Sequence, residues 1–318
     1  GFNLTQSQSF DVDENGQWIF GQVQVPPPGS PTIFVGLWNY WHNLTVTQNT
    51  KAYKGSYPKW TQGPVVINED NPPLILGWDE PSDYNNGPVM ADDWECSDER
   101  PVTDIHWWGS FLGWTQPELP PILPKRFHIG IWTDVPVSAG NTFSHPGALI
   151  WENYCDSWVW NFAGYDEDPR PDGMENEACF QFNQLLSQDE WFHQHPMEDG
   201  MPNVYWLSIA AIYDAADYQS TDFYPWGWKT REHFYNDDAV RVMDTDLWPI
   251  RIGSNYTGGN PVELFNPQTE QMESWDLAFE LTTNEELPQP PSGDVDGSGL
   301  VDFSDLAILA DQWLTAGP

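Results

Sequence analysis

The stretch VYWLSIAAIY (204–213) decides the fold, together with FHIGIWTDV (127–135) and TDIHWWGSFLGW (103–114). Apolar side chains in these stretches alternate with polar or small ones, which is the period of a half-buried β-strand. Further candidate strands are ALIWEN (148–153), CFQFNQLL (179–186), DAVRVM (238–243) and DLAFELTT (276–283). Turns rich in Pro, Gly, Asn and Asp separate the strands. The pattern predicts a mainly β fold, an antiparallel β-sandwich of the jelly-roll type.

One helix start interrupts this β pattern. The segment SQDEWFHQH (187–195) places Ser187 and Glu190 at the spacing of a capping box. We therefore expect a helix to begin after Ser187.

Composition divides the chain into four parts. We predict an N-terminal β arm at residues 1–61, a Trp-rich β-sandwich domain at 62–284, a Pro-rich linker at 285–293 and a small module at 294–318. The arm contains an Asn15-Gly16 turn signal before alternating residues. Because the arm has too few strands to bury a core alone, we expect it to dock on the rest of the chain or on a neighbouring subunit by strand addition.

The charge balance excludes some classes of function. The chain has 318 residues, with 48 acidic side chains against 11 Lys and Arg, and a formal charge of -37. Nucleic-acid binding needs clustered cations, so that class is excluded, and anionic membrane surfaces are disfavoured. No apolar run reaches the roughly 18 residues of a membrane span. The chain starts at Gly1 without Met, which suits a processed, secreted protein of the extracellular space or cell surface.

The strongest motif is DVDGSGLVDFSD (294–305), which has the residue pattern of a calcium loop. Calcium takes about six to eight hard oxygen ligands. Gly299 stands where the loop must turn sharply, and the run FSDLAILADQWL (303–314) predicts an exiting helix. Asp305 replaces the Glu that usually closes such a loop. The predicted cofactor is calcium, and its predicted ligands are Asp294, Asp296, Ser298, the Leu300 carbonyl, Asp302 and Asp305.

This tail resembles one half of a type I dockerin, in which an EF-hand-like calcium loop is followed by a helix. Dockerins pair two such repeats to bind a cohesin, and one repeat is present in GDVDGSGLVDFSDLAILADQW (293–313). The segments VMADDWECSDERPVTDIHWWGSFLGW (89–114) and WGWKTREHFYNDDAV (226–240), with VYWLSIAAIY, resemble an uncharacterised Trp-rich β domain of secreted proteins from planctomycete-type bacteria. The resemblance implies an extracellular protein and no known activity.

The three cysteines, Cys96, Cys155 and Cys179, allow at most one disulfide within the chain. Cys155 and Cys179 flank a long acidic stretch, and a bridge between them would stabilise the fold by roughly 3 kcal/mol. The alternative is three buried thiols, and whether Cys96 pairs between chains stays open. The sequons at Asn3, Asn43 and Asn255 would carry glycans in a glycosylating host.

Two further sets of residues are candidates for ligand contacts. Indole faces can stack on sugar rings, and the residues considered for this role are Trp107, Trp108, Trp226 and Trp228. The alternative is that these side chains pack in the core. Oxygen clusters suit calcium, and the residues considered for a second calcium site are Asp92, Asp93, Asp237 and Asp238. The alternative is that these acids cap turns.

These features favour a secreted, non-catalytic, calcium-binding structural or adhesive protein that self-associates, as an oligomer or filament, through its terminal segments. The sequence has no nucleophile elbow, P-loop, zinc-protease or dinucleotide fingerprint, and we nominate no catalytic residue. The second hypothesis is a polysaccharide-binding module or glycoside hydrolase, which would need an open groove lined by exposed Trp with two facing carboxylates. The third is a cohesin-dependent component of a larger complex.

Overall fold

The structure of the protein is a computed structural model. It describes residues 57–68, 72–138, 140–156, 158–171, 173, 176–195, 202–267 and 269–285, together with Ser304 and residues 306–308. It also gives the backbone positions of four short strands before Tyr57.

The described part of the chain is mainly β-structure, with almost no helix. Its two helical elements within the β domain are single 3₁₀ turns, Gln188–Glu190 and Asp217–Gln219. The strands are β1 (Asp11–Val12), β2 (Trp18–Ile19), β3 (Ile33–Leu37), β4 (Tyr40–Leu44), β5 (Tyr57–Gln62), β6 (Val65–Asn68), β7 (Leu74–Leu76), β8 (Asp79–Pro81), β9 (Val89–Cys96), β10 (Asp104–Phe111), β11 (Arg126–Val135), β12 (His145–Cys155), β13 (Val159–Glu167), β14 (Ala178–Leu185), β15 (Asn203–Ile212), β16 (Trp226–Glu232), β17 (Val240–Thr245), β18 (Tyr256–Pro261), β19 (Glu263–Asn266), β20 (Gln271–Leu277) and β21 (Phe279–Thr283).

Two sheets pack in a sandwich-like arrangement. The large sheet has eleven strands and runs β19-β20-β16-β10-β14-β13-β7-β6, with β21 pairing with β10 and β5, and β8 pairing with β16. The second sheet has six strands in the order β12-β11-β15-β9-β17-β18. The pairs β1-β2 and β3-β4 each form a two-stranded sheet. Neighbouring strands are antiparallel except β7 and β13, which are parallel.

The main core lies between the two sheets and is built from aromatic side chains of both. Phe127 of the six-stranded sheet meets Trp107 and Trp226 of the large sheet with ring centroids 5.3 and 4.9 Å apart, both in edge-to-face contact. Such pairs contribute about 0.5–1.5 kcal/mol each beyond their burial. The tryptophans of this chain therefore fasten one sheet to the other.

Six of the seven strands predicted from alternation are present as single strands, and the seventh, at 276–283, is divided between the end of β20 and β21. The predicted strand at 127–135 is β11 and that at 204–213 is β15, with ends shifted by one residue. The helix predicted after Ser187 is wrong beyond one 3₁₀ turn, although Ser187 N donates to Glu190 Oε2 at 2.9 Å as the capping box requires. Phe192 then forms a β-bridge with Val102, which takes the chain out of helical geometry.

Strand β5 belongs to the large sheet because it pairs with β21. The sheet thus already begins at Tyr57, within the segment predicted as the end of the arm. The chain divides into two compact units, residues 1–284 and 285–318. Among the described residues, no helix has the length and apolar character that crossing a bilayer requires.

In the second unit Ser304 and residues 306–308 are helical, within the stretch where an exiting helix was predicted. The predicted calcium ligands Asp294, Asp296, Ser298, Leu300, Asp302 and Asp305 lie outside the described residues. The sequons at Asn3 and Asn43 also fall where no side chain is described.

Candidate functional site

A buried group of charged side chains lies in the large sheet. We call it the Lys229 cluster, and it consists of Lys229, Asp79, Asp166 and Glu177. All four residues are at most 3% exposed. They come from β16, β8, β13 and the residue before β14, so the tertiary fold rather than local sequence brings them together.

Strand alternation explains the direction in which the Lys229 side chain points. Trp226 and Trp228 of β16 point into the core between the sheets, so Lys229 points to the opposite face. Asp79 lies directly across from Lys229 in the β8–β16 register. Side chains paired across two antiparallel strands are close enough to interact.

The turn at Gly77 positions Asp79. Gly77 has φ of +119°, and a Cβ atom there would lie 2.5 Å from the carbonyl oxygen of Thr230. This conformation, which glycine alone tolerates easily, leads the chain from β7, beside β13, to β8, beside β16. Asp79 is thereby placed between the strands that carry Asp166 and Lys229.

The Lys229 ammonium holds the cluster together. Its Nζ atom is 2.7 Å from Asp166 Oδ1 and donates to the Gly77 carbonyl at 2.8 Å. It is 3.6 Å from Asp79 Oδ2, which is beyond hydrogen-bonding distance. Ser110 donates its backbone N–H to Asp79 Oδ1 at 2.9 Å and its hydroxyl to Asp166 Oδ2 at 3.0 Å.

Glu177 is the fourth residue of the cluster and directly precedes β14, at the end of the segment that connects β13 to β14. The backbone N–H of Asp166 donates to the Glu177 carbonyl at 2.9 Å, so the two residues are neighbours across the base of the β13–β14 connection. The Glu177 carboxylate accepts a hydrogen bond from the Gly113 backbone. One oxygen from each of Asp79, Asp166 and Glu177 lies within 4.8 Å of the others.

The cluster carries more negative charge than its lysine can balance. Three carboxylates and one ammonium sum to -2 when all are ionised. Burial, with the nearby Asp166 carboxylate, raises the pKa of Asp79 well above its usual value, and burial, with the charge of Asp79, raises the pKa of Glu177 to about 7. Burial alone would lower the pKa of Lys229, but Asp166 and Asp79 raise it, so the lysine stays charged.

This arrangement can take up protons or a small hard cation, since all of its acceptors are oxygens. It does not suit an organic substrate, because the four side chains are closed off from solvent. Among the described residues, Asp79, Asp166 and Glu177 are the one group of three potential ligands with this close spacing.

Two members of the cluster come from the acidic stretch between Cys155 and Cys179, which its charge pattern alone predicts to be a solvated loop. DEDPRPDGMENE (166–177) begins with Asp166 and ends with Glu177. Within it, Arg170 Nη2 pairs with Asp168 Oδ2 at 2.7 Å and the Arg170 guanidinium lies 5.1 Å from the ring centre of Trp78. The signal that could have found the site is the pair of acids at the two ends, where the loop meets the strands.

The acids predicted to form a second calcium site are only partly brought together. Asn236 Nδ2 donates to Asp93 Oδ2 at 2.8 Å and to Asp237 Oδ2 at 2.7 Å. Asp92, which alternates with Asp93, points into the sandwich instead and accepts the Leu277 N–H at 2.6 Å. Asp238 is half-buried. The four acids contain no group of three with ligand atoms within 4.8 Å of one another, and the second calcium site stays a prediction.

The tryptophans predicted to stack on sugars are all buried: Trp107, Trp108, Trp226 and Trp228. A sugar ring needs an exposed indole face, so the stacking prediction is wrong for these four. Trp107 and Trp108 point to opposite faces of β10, as strand alternation requires, and both faces are covered. Trp107 faces the main core, and Trp108 packs in a second apolar cluster with Ile75, Cys179 and Ala278.

The predicted Cys155–Cys179 disulfide is also wrong. Cys155 lies in the main core, and its thiol donates to Gln184 Oε1 at 2.7 Å. Cys179 lies in the second apolar cluster with Trp108, and all three cysteines are buried and outside any disulfide. Asn255, the one sequon whose side chain is described, is exposed, and its Nδ2 donates to Asp246 Oδ2 at 2.8 Å.

Residues 58–282 match a family described as a domain of unknown function, DUF7901. The match covers well over half of the chain, so the protein belongs to this family. It includes all four residues of the Lys229 cluster and ends before the segment that resembles a dockerin. No curated protein and no solved structure matches the chain.

Proposed function

We propose that the protein is a secreted, non-catalytic structural or adhesive protein, whose β-sandwich serves as a rigid body and whose terminal segments mediate self-association. The observation that carries this proposal is that the charged side chains best suited to chemistry are sealed in the Lys229 cluster, at most 3% exposed. Buried charges that are paired in this way fix strands to one another and leave nothing for an organic substrate to reach.

The burial of the tryptophans also supports a structural role. Those that a sugar-binding groove would expose instead fill the space between the sheets, as Trp226 and Trp228 do. A body fastened by aromatic contacts across both sheets is suited to bearing load rather than to closing around a ligand.

The calcium loop at 294–305 supplies the calcium-dependent part of the proposal. Bound calcium would gather the carboxylates of Asp294, Asp296 and Asp302 and so order the end of the chain for contact with a second copy. Because the N-terminal strands β3 and β4 form a sheet of only two strands, they gain stability by joining a larger sheet.

Sedimentation velocity and electron microscopy of the full chain, with calcium and with a chelator, test this function. We expect larger species in calcium, reduced to monomers by the chelator and by the double substitution D294N/D296N. The matched control D311N removes one acid of the same tail outside the loop and should assemble normally. Monomers under every condition, or hydrolysis of a polysaccharide by the purified chain, would overturn the proposal.

A further inference from the structure

The Lys229 cluster contains a carboxylate oxygen that the fold has buried without giving it a hydrogen-bond donor. Asp79 Oδ2 has essentially no contact with solvent and accepts no hydrogen bond. The Lys229 ammonium stands 3.6 Å away and is bound instead to Asp166 Oδ1 and the Gly77 carbonyl. A buried acceptor left unmatched costs about 1–3 kcal/mol, and more when it is charged.

Charge and geometry point to what would satisfy this oxygen. With all groups ionised, the cluster carries -2, which one divalent cation would neutralise. The oxygens of Asp79, Asp166 and Glu177 lie within 4.8 Å of one another, and a cation with oxygen ligands at about 2.0–2.6 Å fits between them. The Lys229 ammonium lies beside this position, 2.7 Å from Asp166 Oδ1 and 3.6 Å from Asp79 Oδ2.

We propose that Asp79, Asp166 and Glu177 form an internal site for a hard divalent cation, of the calcium or magnesium class, which joins Glu177 to the strands that carry Asp79 and Asp166. This site is separate from the calcium loop at 294–305 and does not depend on it. Its role is to tie β8, β13 and β14 together where Lys229 alone cannot balance the charge.

The test uses the full chain carrying D294N/D296N, so that the C-terminal loop contributes no calcium binding. After treatment with a chelator, the protein is titrated with CaCl₂ and, in parallel, with MgCl₂ by calorimetry, and its thermal unfolding is followed. We expect one site, a higher Tm with the bound ion, and a preference between the two salts that identifies the ion.

The substitution E177Q keeps the size of the side chain and its acceptor for Gly113 while removing the ligand charge. It should weaken binding at least about tenfold. The control E167Q neutralises the exposed neighbour of Asp166 in the same loop and should bind as the parent does. If E177Q does not fold in chelator, E177D retains the charge, draws the oxygen back by one methylene and should also weaken binding.

The proposal is overturned if the parent shows neither heat nor a change in Tm at 10 mM of either salt, a ceiling of roughly millimolar affinity. It is equally overturned if E177Q or E177D binds as tightly as E167Q. If this binding is intact but the chain without substitutions does not assemble in calcium, the result would instead count against the proposed function alone.

Discussion

Asp92 Oδ2 accepts the backbone N–H of Leu277 at 2.6 Å, and this hydrogen bond joins the six-stranded sheet to the large sheet. The same oxygen accepts Gln62 Nε2 at 2.7 Å, and Asp92 Oδ1 accepts the Asp93 N–H at 3.0 Å. A carboxyl group that is fully buried between two sheets therefore serves three donors at once.

Replacing Asp92 with alanine should lower the free energy of unfolding by about 3 kcal/mol or more, because it leaves these buried donors unmatched. Urea unfolding measures the change. Asp222 is exposed, and D222A should stay within about 0.5 kcal/mol of the parent. Equal stability of D92A and D222A would show that the contact contributes nothing.

Asp98 makes the stability of the fold depend on pH in the acid range. Burial by itself would raise the pKa of Asp98, but hydrogen bonds from Arg100 and Lys59 outweigh it and lower the pKa to about 2. In the unfolded chain the pKa returns to about 3.9, so the stabilisation is complete above about pH 4 and is lost as the pH falls to about 2. The stability curves of the parent and D98N should be well separated at pH 6 and converge near pH 2. A gap that stays constant with pH would contradict this assignment, and D156N, at an exposed pair with Arg126, is the matched control.

Asp93 makes the stability of the fold depend on pH in the opposite direction to Asp98. Burial, with the charges of Asp237, Asp276 and Asp134, raises its pKa to about 8 even though Asn236 donates to it. The folded chain holds this proton from about pH 4 to about pH 8 while the unfolded chain does not, so the contribution of Asp93 to stability falls as the pH rises. D93N should gain stability relative to the parent over that range, by at most about 1.4 kcal/mol per pH unit. Thermal unfolding between pH 5 and 9 measures it, and a relative loss by D93N with rising pH would reverse the argument.

Buried and exposed tryptophans should contribute differently to the free energy of unfolding. Trp228 is fully buried and its Nε1 donates to the Ala278 carbonyl at 2.9 Å, whereas Trp248 is 44% exposed. W228A should cost about 3–5 kcal/mol by leaving a cavity in the core, and W248A about 1 kcal/mol or less. Denaturant unfolding of the two variants compares them directly. Similar losses at both sites would mean that the packing described here does not hold the sheets together.

The long strands could be predicted from the sequence because their alternation reports burial directly. In the stretches that became β11 and β15, one face lies in the main core. The other face is also covered, since Trp132 and Trp206 are fully buried in another apolar cluster. Strands β13 and β16 were not predicted. In β16, the charge of Lys229 between Trp228 and Thr230 predicts a surface position. Both faces of this strand are nevertheless covered, and all three residues are buried.

The Lys229 cluster could not be predicted because its members meet only through pairings that sequence does not reveal. Asp79 reaches Asp166 through the parallel pairing of β7 with β13 and the turn at Gly77. The acidic loop that ends at Glu177 looked solvated because runs of charge usually are. The disulfide prediction failed for a related reason, since closeness along the chain said nothing about which face of a strand Cys155 and Cys179 would occupy.

The most direct test of the account is an anomalous difference map from crystals of the full chain grown or soaked with Mn²⁺ or Tb³⁺, scattering ions that take oxygen ligands. The account predicts a peak inside the large sheet, about 2.0–2.6 Å from oxygens of Asp79, Asp166 and Glu177, with Lys229 still bound to Asp166 beside it. A map without density there, in crystals that hold the ion elsewhere, would contradict the proposal that Asp79, Asp166 and Glu177 bind a cation.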